Sequence, residues 1–344
     1  MKIPLLKSLV LGVCVCGCLC AQPLTLPAIF SDNLVLQSGK DTPVFGWAAP
    51  GASVQVHFVA GKTDLNASAL ADKDGKWLAR LPELPVGLVG ELIVKSGKDT
   101  RTFSNALIGE VWLCGGQSNM FWVMGAPVMT EQMKQTARDE AAAAQGKIRM
   151  FRVKRVGADT PQSNVEGEVG YWEVITPANV ARCSAVAWNF AERILRESTR
   201  PVGLISASWG GTTVEAWMSK ESLDSTQAGA TVHRRHEAAL ENWEEKFARY
   251  EAELKTFEAT YQTPKERLAN KAKAPRPVYT PSSPAAPKRL YNAMIHPLEP
   301  YGLAGMIWFQ GESNEPYPRV YGELVTAMLN SYRERFGRMF AFYY

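Results

Sequence analysis

Histidine is scarce in this 344-residue sequence, with four residues, and cysteine nearly disappears after the first twenty positions. Cys14, Cys16, Cys18 and Cys20 crowd the N-terminus, and only Cys114 and Cys183 follow. Two cysteines exclude a disulfide framework; one bridge between them and two free thiols are both compatible with the sequence. His233 and His236 stand three apart with no carboxylate or cysteine motif beside them, so they read as the solvated start of a helix rather than metal ligands. His57 reads as a solvated strand residue. Beyond the first two dozen residues no apolar run approaches the roughly 20 residues of a membrane span, which predicts a soluble protein. Charge is nearly balanced, at 38 basic against 34 acidic residues, and the net +4 includes Lys2 and Lys7 of the N-terminal segment. With no clustered basic face there is no electrostatic case for nucleic acid. Hydrophobic residues at 46% and charged residues at 21% exclude general disorder and a fibrous repeat.

What is present begins with Met1–Ala21: two lysines, an apolar core over Leu9–Val15, then small residues up to Ala21-Gln22. That order predicts a secretory signal peptide over residues 1–21 and a secreted or periplasmic location. The stretch Val15-Cys16-Gly17-Cys18 also loosely fits a lipoprotein signal, which would leave Cys18 acylated.

At this length two domains are expected. From Gln22 to about Phe103, short β segments alternate with turn signals. Val54, Val56 and Phe58 alternate with polar neighbours, Asp72-Lys73-Asp74-Gly75 is turn chemistry, and Trp77, Ala79 and Leu81 alternate after it. This predicts an antiparallel β-sandwich over residues 22–104. Near Asn105 the texture changes. Leu107–Cys114, Ile148–Val153, Pro201–Ala207 and Leu303–Phe309 are short, mainly apolar runs, Met339–Tyr344 begins another, and Ala185–Arg196 and Tyr321–Phe336 carry helical periodicity. Such strands between helices predict an α/β domain over 105–344, built on a parallel sheet covered on both faces. Leu240, Trp243, Phe247, Tyr250, Leu254, Phe257 and Tyr261 recur at steps of three and four, a heptad seam inside a helical insertion at about 220–289. The seam is expected to lie on the catalytic domain or to serve as an oligomer-forming arm. Pro264 to Pro287 reads as a linker.

Three of the predicted parallel strands end in polar, glycine-rich turns. Val111-Trp112-Leu113-Cys114 runs into Gly115-Gly116-Gln117-Ser118-Asn119-Met120, which presents a serine at the sheet's carboxyl edge, where open α/β folds bind ligands. Gly203–Ala207 runs into Ser208-Trp209-Gly210-Gly211-Thr212, whose paired glycines can aim a backbone N–H without obstruction. Met306-Ile307-Trp308-Phe309 runs into Gln310-Gly311-Glu312-Ser313-Asn314. Together they suit a serine-dependent acyl-transfer site.

At these residues the chain resembles the sialate O-acetylesterase family of the SGNH hydrolase superfamily. Leu26–Gln37, Glu215-Ala216-Trp217 and Tyr291–Ile295 extend the resemblance over most of Leu26–Phe336. It implies an SGNH-type parallel sheet with flanking helices, and Ser118 as the nucleophile on an acetyl carbonyl. The oxyanion hole would be formed by the N–H groups of Ser118 and Gly211 with the side chain of Gln310, Asn314 being the alternative. Gln117, Asn119 and Glu312 would support the loops, and no cofactor is implied. The family's base is a histidine shortly after an aspartate near the C-terminus. His296 precedes the third motif and has Ala293 three residues before it, so the Asp and His are expected beyond Tyr344. The implied substrate is an O-acetylated carbohydrate, sialate first, with acetylated xylan or pectin as rivals. A non-catalytic sugar-binding protein is the rival of a different class.

Overall fold

A computed structural model describes residues 23–165 and 170–344. The signal peptide read over Met1–Ala21, with Cys18, lies outside the described residues. The spine of the molecule is one long strand. In chain order the strands are β1 (Val35–Gln37), β2 (Thr42–Trp47), β3 (Ser53–Ala60), β4 (Thr63–Leu70), β5 (Lys76–Leu81), β6 (Val89–Ser96) and β7 (Asp99–Gly116). They are followed by β8 (Ile148–Arg152), β9 (Glu173–Val174), β10 (Val202–Ser208), β11 (Gly305–Phe309) and β12 (Ala341–Tyr343).

The first half of β7 pairs antiparallel with β6, from Ser96 opposite Asp99 to Val89 opposite Leu107. Its second half pairs in parallel with β10 and β11. The change of partners falls at Asn105, whose φ of 53° turns the strand. The change of texture near Asn105 is therefore a change of neighbours within one continuous strand, with no linker between. Burial follows the partners. Val54, Val56 and Phe58 of β3 and Trp77, Ala79 and Leu81 of β5 are buried with exposed residues between them, as one-sided strands require. The second half of β7 is buried almost throughout, as a strand covered on both faces must be.

The parallel strands lie in the order β8-β10-β7-β11-β12, with β9 antiparallel beyond β8. The helices are α1 (Ser118–Phe121), α2 (Glu131–Ala143), α3 (Ala185–Ser198), α4 (Lys220–Asp224), α5 (Gln227–Ala239), α6 (Trp243–Thr260), α7 (Pro264–Ala269) and α8 (Pro318–Arg335). Alternation along β7 assigns them to faces. Trp112 and Cys114 enter a core with Ala137 of α2 and Trp188 of α3. Val111 and Leu113 enter the opposite core with Leu324, Met328 and Tyr332 of α8. That second core continues into the antiparallel strands through Val54, Phe58 and Trp77, and Tyr301 donates to the Val35 carbonyl of β1, which pairs in parallel with β7, at 2.7 Å. The result is a mixed α/β fold with a largely parallel central sheet and flanking helices.

The helical insertion breaks at Asn242, which takes a left-handed φ of 53° between α5 and α6. Ala228 and Val232 of α5 are buried, whereas α6 buries no residue fully. The aromatic seam of α6 is thus half-covered. The segment expected as a linker opens with α7, which has Pro264 at its first position and a capping box between Thr263 and Glu266.

Candidate functional site

Register brings the three motifs together. Ser208 of β10 and Phe309 of β11 both pair with Gly116 of β7. All three strands therefore stop at one level, and the residues after them form one layer on the carboxyl edge of the sheet. Backbone bonds lock the layer: Gln117 N–H donates to the Phe309 carbonyl at 2.9 Å, and Trp209 N–H to the Gly116 carbonyl at 3.0 Å. Gly116 is indispensable here. Its φ is +138°, and a Cβ on it would sit 2.1 Å from the Phe309 carbonyl oxygen.

Ser118 opens the short α1 turn directly after this strand end, half-buried beside the loop that follows β10. A Cβ on Gly210 would lie 3.5 Å from the Ser118 Cβ, so any side chain there would cover the serine. Gly211, exposed and at φ +75°, follows. Large aromatic side chains stay open to solvent around this edge: Phe121, Trp122, Phe309 and Tyr317. Exposed rings near a half-buried serine offer the kind of surface that suits the apolar face of a sugar.

Beneath the serine lies a buried amide network. Gln310 Nε2 donates toward Asn314 Oδ1 at 2.8 Å, the Thr212 carbonyl at 3.0 Å and Gln117 Oε1 at 3.1 Å. Gln117 Oε1 also accepts from Ser313 N–H at 3.3 Å. Three acceptors meet an amide that carries two hydrogens, so the Gln310 nitrogen is committed to holding the three loops together. Asn314, 1% exposed, is equally engaged. Its Oδ1 accepts from Val214 N–H at 2.9 Å, and its Nδ2 donates to Glu215 at 2.9 Å. The buried Glu215 carboxylate is paired with Arg235 of α5. Tyr321 donates to the Gln310 carbonyl at 2.7 Å, and Asn119 donates to Glu312, tying the first loop to the third at the surface. Of the sequence-derived residues, Gln117, Gln310 and Asn314 share this network, Asn119 and Glu312 pair above it, and Ser118 and Gly211 border the open side.

Sequence reasoning assigned no role to Arg235, Thr212 or Tyr321. Glu215 stood out only as part of the Glu215-Ala216-Trp217 segment. Thr212 was visible only as the end of the second glycine turn, and nothing local marks Arg235 or Tyr321, because their partners Glu215 and Gln310 belong to other elements.

The four histidines all lie elsewhere. His57 pairs with Asp64 at 3.0 Å, His233 with Asp224 at 2.7 Å, and His236 with the Tyr279 hydroxyl at 2.8 Å. His296 bonds the Gln162 carbonyl at 2.9 Å through Nδ1. It lines a cavity of about 790 Å³ shared with Trp47, Arg80 and Glu299, where the chain approaches the amino end of β11, opposite to Ser118. In the same cavity burial pushes the Glu299 carboxyl up to about 7, while the Tyr291 hydroxyl donates to it at 2.9 Å. Cys114 and Cys183 are both buried free thiols, and burial raises both pKa values. Among the described residues no group of three or more His, Cys, Asp or Glu side chains could hold a metal ion, and no helix is long and apolar enough to cross a membrane.

No family model matches the chain. Among curated proteins it is similar to the sialate O-acetylesterase of Rattus norvegicus, 29% identical over 325 residues, covering 90% of this chain and 56% of that protein. It is similar also to the sialate O-acetylesterase of Homo sapiens, 26% identical over 323 residues, covering 90% of this chain and 53% of that protein. Among solved structures it is similar to a carbohydrate acetylesterase from Xanthomonas citri, with a TM-score of 0.67 and 28% identity over 92% of this chain and 59% of that one. The chain spans a little over half the length of these curated relatives. The resemblance carried by the three motifs is borne out.

Proposed function

We propose that this protein is a serine esterase that removes O-acetyl groups from sugars, with O-acetylated sialate as the first substrate. The observation that carries this reading is the common level at which β7, β10 and β11 end, which gathers a half-buried serine and a paired-glycine loop above one rigid network. Ser118 Oγ attacks the acetyl carbonyl, and the sugar oxygen leaves as the acetyl-enzyme forms. Water then releases acetate. The oxyanion is held by the backbone N–H groups of Ser118 and Gly211; donors aimed at developing charge are each worth roughly 3 kcal/mol in comparable enzymes. Gln310, which the sequence suggested as a third donor, is assigned instead to holding the three loops, with Asn314 beside it. Glu312 holds Asn119 and so orients the α1 turn. The four histidines are each engaged away from the serine, so none of them is assigned as the base that takes the Ser118 proton.

The remainder of the reading follows from the sequence. Residues 22–104 form a β-sandwich that shares its core with the hydrolase domain, and residues 1–21 direct export, with an acylated Cys18 as the variant form. Acetylated xylan and pectin are the rival substrates. The test is acetate release by the protein and by its Ser118→Ala variant from O-acetylated N-acetylneuraminate and from acetylated xylan. Loss of release in the variant with the fold intact supports the nucleophile, and near-normal turnover refutes it. Preference for xylan would move the substrate to the rival class.

A further inference from the structure

Resting on the esterase reading, we propose that Arg155 is a specificity-determining residue that binds a carboxylate carried by the acetylated sugar. A cavity of about 220 Å³ begins at the far end of the helical turn that Ser118 opens, lined by Phe121, Arg152, Arg155, Arg182, Ser184 and Ser208 among others. Two of these tie it to Ser118. Phe121 ends the single helical turn that Ser118 opens, a rise of about 4.5 Å. Ser208 pairs with Gly116, two residues before the serine.

Among the described residues that line it, the charged side chains are Arg152, Arg155 and Arg182. Glu173 pairs with Arg152 at 2.6 Å and with Arg182 at 2.7 Å. Arg155 is exposed and packs its guanidinium over the Phe121 ring, 4.4 Å from the centroid. Among the described residues no carboxylate pairs with it. A guanidinium placed over a ring still has edge N–H groups to donate, in the fork that matches a carboxylate. Ser184, the N-cap of α3, brings the positive end of a 14-residue helix to the same wall. A neutral acetylated sugar would make no use of this arrangement. A sugar acid would, with its O-acetyl group directed at Ser118 and its carboxylate on Arg155. Nonulosonic and uronic acids share that chemistry.

The test is calorimetric titration of the protein with N-acetylneuraminate, its methyl ester, and galacturonate, repeated on Arg155→Ala and Arg155→Gln. Charge-assisted bonding predicts that a free acid binds about tenfold to a hundredfold more tightly than its neutral ester, and that both variants erase the difference. Preferential binding of galacturonate would identify the uronic acid as the source and still support the site. Equal binding of acid and ester, no binding of either acid at millimolar concentration, or a preference that survives both variants would overturn it. The readout does not depend on hydrolysis, and Ser118→Ala should bind the acid as the native protein does. Acetate release by Ser118→Ala at the native rate, with acid binding retained, would therefore refute the esterase reading alone.

Discussion

Replacing Asn314 by alanine should unfold the site from beneath. Its side chain is the meeting point of the third loop, the segment after the second loop and the insertion. Oδ1 accepts from Val214 N–H, and Nδ2 donates to Glu215. Val214 is fully buried, so truncation leaves its N–H without an acceptor, at a cost of about 1–3 kcal/mol. Glu215 is 2% exposed and keeps Arg235 but loses its second donor, a charged bond worth about 1.5–3 kcal/mol. Gln310 loses least, because Gln117 and Thr212 still accept from it. The sum is about 2.5–6 kcal/mol, read as a lower midpoint in urea unfolding with an unchanged slope. Asn314→Asp should not rescue, since it sets a second carboxylate against Glu215. A double-mutant cycle with Glu215→Gln should show a coupling above about 1 kcal/mol. A loss below about 1 kcal/mol for Asn314→Ala, or additive effects in the cycle, would refute the network as the support of the site.

Three further outcomes follow from the same geometry. Gln310→Ala should lower stability by about 2 kcal/mol together with kcat, because it removes the bonds that join three loops; a fall in kcat of about 10² with stability untouched would return Gln310 to the oxyanion hole. His296→Ala should leave acetate release unchanged, since its ring faces Gln162 in the cavity away from Ser118; loss of release without loss of fold would make it the base. Glu299 is protonated in the folded protein up to about pH 7, above its unfolded range. Its contribution is thus fully present at low pH and is lost as pH rises toward 7, by up to about 3 kcal/mol. Glu299→Gln should flatten that dependence in unfolding measurements between pH 4 and pH 8 (about the span of the two pKa values), and an unchanged slope would assign it to other groups.

Local patterns in the sequence determined the strands and where they end. Val54, Val56 and Phe58 alternate because one face of β3 is covered, and Leu107–Cys114 is apolar at every position but Glu110 because β7 is covered on both. Period and turn chemistry act over a few residues, so a short window carries them. For the same reason the three glycine turns, with Ser118 in the first, are legible in the sequence itself. Which atoms meet is not. The level shared by the three motifs depends on the pairing of Ser208 and Phe309 with Gly116, and the direction of the Gln310 amide depends on Thr212 and Gln117, 98 and 193 residues away. Arg235 reaches Glu215 from the insertion, the stretch with the least characteristic sequence. Arg155 comes to lie on Phe121 because β8 stands beside β10 in the sheet. His296, which comes shortly before the third motif in the chain, turns toward Gln162 at the other edge. Strand register and long-range packing decide such contacts, and their energy resides in partners that no local window contains.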